Sequence, residues 1–175
     1  PISEGFPHLT DIIVRNLDGT DPKEIAAKAD VVFTATPSGV SSKLVPGLLE
    51  EGLKVIDLSG DFRIKDGATY EKWYKHTAPD AAYLDQAVFG LCELFGEEVA
   101  GKDFISNPGC YPTATLLGLV PAISAGWINP NSIIIDAKSG VSGSGRGTSL
   151  TSHFAEINEN FKAYKVNKHQ HIPEI

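Results

Sequence analysis

In Ser106-Asn107-Pro108-Gly109-Cys110-Tyr111-Pro112, one cysteine stands between a turn signal and an apolar run. Asn-Pro-Gly is turn chemistry, and Pro112 suits the first turn of a helix. Cys110 is therefore expected at a helix mouth. Unpaired N–H groups and the positive end of the helix dipole favour a thiolate there. The same N–H groups can stabilise an oxyanion on an attacked carbonyl. The competing reading is a buried structural cysteine, since cysteine is among the most buried residue types. Cys92, in Gly90-Leu91-Cys92-Glu93-Leu94, has no cap signature and reads as structural or incidental.

Two further groups can serve a thiol. His169-Gln170-His171 lies 59 to 61 residues after Cys110, and either imidazole can act as its acid or base. Glu174 is close enough in sequence to orient a histidine. A His-x-His pair also suits a metal, but no further Cys or His ligands lie nearby, which argues against zinc. The plain reading is a solvated pair. The loop Gly140-Val141-Ser142-Gly143-Ser144-Gly145-Arg146-Gly147 follows an apolar segment. It has Arg and Gly where a phosphate-binding P-loop has Lys and Ser/Thr, and Thr148 where G-x-G-x-x-G needs its last glycine. Neither motif fits. Small residues still permit close backbone approach to a ligand, and Arg146 can hold a carboxylate or phosphate. The alternative is a plain surface loop.

These groups need elements to position them. Strands are expected at 11–16, 31–35, 54–58, 87–91, 104–106 and 132–138. Helices are expected at 21–29, 41–51, 67–76, 112–125 and 153–163. Asp21-Pro22 is a helix start signal, and Gly52 and Gly126 are stop signals. Pro121 is expected to kink or split its helix. The runs at 31–35 and 54–58 have the apolar character of strands covered on both faces. Strand, helix, strand within about thirty residues makes a βαβ unit with parallel strands. Ligands bind beyond the C-terminal strand ends of such sheets, where Thr36-Pro37-Ser38-Gly39 and Ser59-Gly60-Asp61-Phe62-Arg63 fall. Residues 1–109 thus form one α/β layer, and new topology begins at 110–175.

The net charge of −7 offers no general basic face for nucleic acid. No apolar run approaches a membrane span, and no signal peptide is visible. Two cysteines are too few for a disulfide scaffold, so reduced thiols in a cytoplasmic protein are the simpler expectation. The chain contains no methionine and stops in mid-pattern at Ile175, as expected for an internal segment of a longer protein.

Taken together, PISEGFPHL, ADVVFTATPSGVSSKL, KVIDLSGDFRIKD, NPGCYPTATLLGL, SIIIDAKSGVSGSGRG, HFAEINENFKAYKV and HQHIPEI resemble the N-acetyl-γ-glutamyl-phosphate reductase family nearly end to end. The chain departs from that family's pattern at Cys92, where Pro is usual, and at Ser38, where His is frequent. The resemblance implies part of a Rossmann-type parallel-sheet NADP domain over 1–109. The start of a semialdehyde-dehydrogenase-like α+β catalytic domain would follow over 110–175. It implies a small-molecule acyl phosphate as substrate, NADPH as cofactor, a homo-oligomer, and a role in arginine biosynthesis. Cys110 would form a thioester, with His171 or His169 as acid/base. Asn107, Gly109 and Tyr111 would shape the nucleophile turn. Ser38, Gly39, Ser139, Gly140 and Ser142 would lie near the cofactor, and Asn107 and Arg146 near the substrate. The dinucleotide fingerprint would precede PISE, so the segment alone would bind NADPH poorly and be inactive. Competing expectations are an aspartate-semialdehyde type of dehydrogenase, a cofactor-free Cys-His hydrolase or acyltransferase, and a non-catalytic interaction fragment.

Overall fold

The computed structural model describes residues 6, 8, 16, 19–145 and 147–175. The strand expected at 11–16 lies outside the described residues except for Asn16, and so does Arg146.

Four strands form one parallel sheet in the order β1-β2-β4-β3: β1 Val31–Thr34, β2 Lys54–Asp57, β3 Val88–Phe89 and β4 Phe104–Ser106. The register aligns Thr34 with Asp57, Asp57 with Ser106, and Ser106 with Phe89. All four strands therefore end on one row. The turns that carry Ser38-Gly39, Ser59-Arg63 and Asn107-Cys110 all leave from it.

The helices are α1 Pro22–Ala26, α2 Ser41–Glu50, α3 Gly67–Tyr74, α4 Ala81–Gln86, α5 Cys92–Val99, α6 Cys110–Ser124 and α7 Phe154–Ile157. Their ends follow local chemistry. Asp21 accepts the Lys23 N–H, Asp66 the Thr69 N–H and Asp80 the Ala82 N–H, each as an N-cap. Past the end of α2, Gly52 takes φ +78°, with Gly52 N–H bonded to Leu49 O and Leu53 N–H to Leu48 O. That is a Schellman stop, and Gly126 repeats it after α6. α6 includes Pro121 without being split.

The core packs α2 and α4 against the sheet, with Val45, Leu48, Leu53, Val55, Phe62, Leu84, Ala87 and Phe104 buried. Phe62 and Phe104 meet edge to face at 4.9 Å. A second cluster joins Ile64, Tyr70 and Tyr74, the two tyrosine rings stacked at 4.9 Å.

Several local expectations fail for physical reasons. β1 is not covered on both faces: among the described residues it pairs only with β2, and Phe33 is 66% exposed. Residues 133–138 form no strand. Their apolar run is strand-prone, but a strand needs a hydrogen-bonding neighbour. Among the described residues none pairs with them, and Ile134 is 93% exposed. The helix expected over 153–163 stops at Ile157: Asn158 is extended, and the Asn160 side chain donates to Glu156 O, the carbonyl its own N–H would take in a longer helix. Helices α4 and α5 were not expected. Cys92, read as structural or incidental, is the exposed first residue of α5.

Candidate active site

The row of strand ends carries a buried polar network. Asp57 and Asp61 are both fully buried. Asp57 accepts from Thr34 Oγ1 at 2.6 Å, from the Ser59 N–H at 3.1 Å and from Ser41 Oγ at 3.4 Å. Burial still pushes its carboxyl above the usual range. Asp61 accepts the Gly39 N–H at 2.8 Å, the Ser42 N–H at 3.0 Å, Ser41 Oγ at 3.0 Å and Tyr70 Oη at 2.7 Å. One carboxylate thereby seals the mouth of α2 and fixes the turn at Ser38-Gly39, where Gly39 takes φ +83°. Beside this turn is a cleft of about 350 Å³ lined by Gly39, Ser42, Lys43, His76 and Asp80, among others.

Cys110 is the first residue of α6, with Gly109 as N-cap, and its side chain is exposed. It opens on a second cleft, of about 540 Å³, lined also by Leu58, Arg63, Asn107, Thr113 and His171. The thiol and one imidazole thus share a cavity although 61 residues separate them. His171 is 9% exposed and its Nδ1 is buried without a partner. Burial comes first, then His169, Arg63 and Lys165, in pushing its pKa down to about 4. At neutral pH the ring is therefore an uncharged acceptor, the form a general base requires.

Arg63 and Glu174 hold the Asn107-Cys110 turn. Arg63 Nε donates to Asn107 O and its Nη2 to Leu58 O, each at 2.7 Å. Glu174 Oε1 accepts the Gly109 N–H at 2.6 Å. Arg63 Nη1 and Glu174 Oε2 are 3.6 Å apart with side chains 7% and 0% exposed, an ion pair too long to satisfy Oε2 by a hydrogen bond. Burial accordingly outweighs Arg63 and raises the Glu174 carboxyl above its ordinary value. Glu174 thus anchors the backbone beside Cys110 instead of orienting a histidine. Arg63 went unassigned in the sequence, where it is one more polar residue in a turn. Its signal was the position, a cation just beyond the C-terminal end of β2.

Of the other expected site residues, Asn107 lines the Cys110 cleft and Tyr111 packs edge-on to both His169 and His171. Ser139, Gly140 and Ser142 are exposed and line neither cleft, and Arg146 lies outside the described residues. His169 does not line the cleft. Among the described residues no cluster of three or more His, Cys, Asp or Glu suits a metal, and no helix is long and apolar enough to cross a membrane.

A dinucleotide would need anion-binding donors and polar groups along the cleft at Ser38-Gly39. The Gly39 and Ser42 N–H groups already bind Asp61, so this helix mouth has no free pair of donors for a pyrophosphate. Ser42 and Lys43 remain along the cleft for polar contact with another portion of such a ligand.

Comparison with known proteins gives two family matches. Residues 1–102 match the semialdehyde dehydrogenase NAD binding domain, and residues 110–175 match the semialdehyde dehydrogenase dimerisation domain. Among curated proteins, an N-acetyl-gamma-glutamyl-phosphate reductase of Geobacillus sp. (strain WCH70) is 56% identical over 99% of this chain and 50% of its own length. Those of Halalkalibacterium halodurans and Bacillus subtilis (strain 168) are 53% and 51% identical, over 100% and 99% of this chain and 51% and 50% of their own lengths. The chain spans about half the length of the curated relatives it matches.

Proposed function

Because the chain belongs to the semialdehyde dehydrogenase family, we propose that it serves an NADPH-dependent reductase of N-acetyl-γ-glutamyl phosphate acting in arginine biosynthesis. The observation that carries this reading is the cleft shared by Cys110 and His171 at the C-terminal edge of the parallel sheet. Cys110 Sγ attacks the γ-carbonyl carbon as His171 takes the thiol proton. The new C–S bond forms, the C–O bond to phosphate breaks, and phosphate leaves with the electron pair, giving a thioester. Arg63 lines the same cleft and supplies positive charge near the departing anion. NADPH, when bound, supplies the hydride that reduces the thioester carbonyl. Collapse then releases N-acetylglutamate semialdehyde and the Cys110 thiolate, to which His171 returns its proton.

Ser38 and Gly39, with Ser139, Gly140 and Ser142, belong to the cofactor side in this reading. Asn107 and Arg146 belong to the substrate side. The 1–109 segment is the cofactor layer and 110–175 the beginning of the catalytic layer. The match to a dimerisation domain supports a homo-oligomer. The two free cysteines support a reducing, cytoplasmic setting.

The test runs the reaction backwards in the full-length protein. N-acetylglutamate semialdehyde, phosphate and NADP should give a phosphate-dependent rise in reduced-cofactor absorbance, and Cys110→Ala should abolish it. No phosphate-dependent signal rejects the substrate assignment, and a signal surviving Cys110→Ala rejects the nucleophile. Replacing NADP by NAD, or the substrate by aspartate semialdehyde, should each lower the rate.

A further inference from the structure

We propose that His169 is a positioning residue for His171, acting through its own Nδ1 rather than through proton transfer. This rests on the assignment of Cys110 and His171 above. The His171 backbone N–H donates to His169 Nδ1 at 3.1 Å. Nδ1 must then be unprotonated, and the neutral ring carries its proton on Nε2. The imidazole imitates an Asx turn: a side-chain acceptor takes the N–H two residues on and fixes that backbone. Because His171 stands in the turn so fixed, the bond helps set where its imidazole reaches the cleft.

The surroundings hold His169 to this task. Its ring meets the Tyr111 ring at 5.0 Å and 87°, and the Tyr164 ring at 5.8 Å and 76°. The two tyrosine hydroxyls bond to each other and tie the start of α6 to the segment before His169. His171 lies edge-on at 4.7 Å. Burial first, then Lys165, pushes the His169 pKa down, so the ring stays neutral and Nδ1 keeps its lone pair at physiological pH. The groups bearing on the pair are Tyr111 from α6, Tyr164 and Lys165 from the tail, and Arg63 from the turn after β2. A role for His169 as the acid/base itself is disfavoured on two counts. Its Nδ1 is already engaged, and the ring does not line the cleft that holds Cys110.

Asparagine separates the two roles, because its Oδ1 occupies the same bonded position from Cα as Nδ1 and accepts but cannot titrate. In the full-length protein, the rate of Cys110 alkylation by iodoacetamide is followed by mass spectrometry from pH 5 to 9, with Cys92 as internal reference. His171→Asn should slow Cys110 at pH 7 and leave Cys92 unchanged; no effect there rejects the acid/base assignment of His171, whatever His169 does. His169→Leu should slow Cys110 about five- to tenfold, the worth of one hydrogen bond, while His169→Asn stays within about twofold of the native rate and keeps its pH profile. Native-like alkylation in His169→Leu overturns the proposal, as does His169→Asn behaving like His169→Leu. Nitrogen-15 NMR of the native protein gives an answer independent of any variant's folding. An unprotonated Nδ1 on neutral His169 is expected, and a protonated Nδ1 overturns the proposal.

Discussion

The His171 imidazole lies directly against the backbone of Gly109: a Cβ built there would come within 2.6 Å of both His171 Cε1 and Nε2, and 3.0 Å of Arg63 Nη1. The residue before Cys110 is therefore a spacer whose lack of a side chain lets the imidazole reach the turn.

Gly109→Ala should push His171 and Arg63 away from that turn. The backbone of Gly109, at φ −67°, tolerates alanine, so the effect comes from the collision alone. If His171 is the proposed acid/base, its displacement by about 1 Å should lower kcat/KM roughly 100-fold. Steady-state kinetics alongside a urea titration checks this, with stability falling by only about 1–3 kcal/mol.

Removing Arg63 should leave the buried Glu174 carboxylate without its cation. Arg63→Met is expected to cost about 3–5 kcal/mol. Arg63→Met with Glu174→Gln should cost less than the sum of the two single changes, because the double variant buries no orphan charge. Denaturant unfolding of the four proteins closes this cycle. Additivity would show that the two side chains do not act as a pair.

Asp61→Asn replaces an acceptor of four donors with an amide whose nitrogen cannot accept. Loss of charge-assisted bonds in a fully buried network should lower stability by about 2–3 kcal/mol. Exchange protection at the Gly39 and Ser42 amides should fall with it. Hydrogen exchange at those two amides is the check, and unchanged protection would contradict the assigned role.

Burial of neutral His171 makes stability acid-sensitive. An unfolded histidine binds its proton near pH 6.5, whereas native His171 does so near pH 4. Between these values the unfolded chain holds more protons, so acid favours unfolding. The contribution is fully present above pH 6.5, declines as pH falls, and is gone below about pH 4, about 3 kcal/mol in all. Asp57 and Glu174, both raised, act in the opposite sense and add stability as they protonate. Comparing urea midpoints of the native protein and His171→Asn across pH 4 to 7.5 isolates the histidine, since both keep the two carboxyls. Parallel curves would refute it.

Much of this fold is written locally. Asp21-Pro22 starts a helix, Gly52 and Gly126 stop two more, and Asn-Pro-Gly ahead of Pro112 puts Cys110 at a helix mouth. Such signals act within one turn of chain, where neighbouring N–H and C=O groups either find partners or do not. The three longest strands at 31–57 and 104–106 were legible for the same reason. The short helices α4 and α5 were not, because few residues carry too weak an apolar period, nor was the lack of a partner for 133–138 among the described residues, because pairing is a property of the neighbour.

What only the tertiary structure decided is who stands behind the thiol. Arg63 reaches Asn107 across 44 residues of sequence, and Glu174 reaches Gly109 across 65. Neither contact leaves a local trace. Each exists because the parallel register ends β2 and β4 on one row, with the final residues folded back against it. The sequence by itself determined the turn that carries Cys110 and its candidate histidines; the stacking of distant turns on that row separated His171, which lines the cleft, from His169, which does not, since burial and hydrogen-bond partners come from whatever the fold brings alongside.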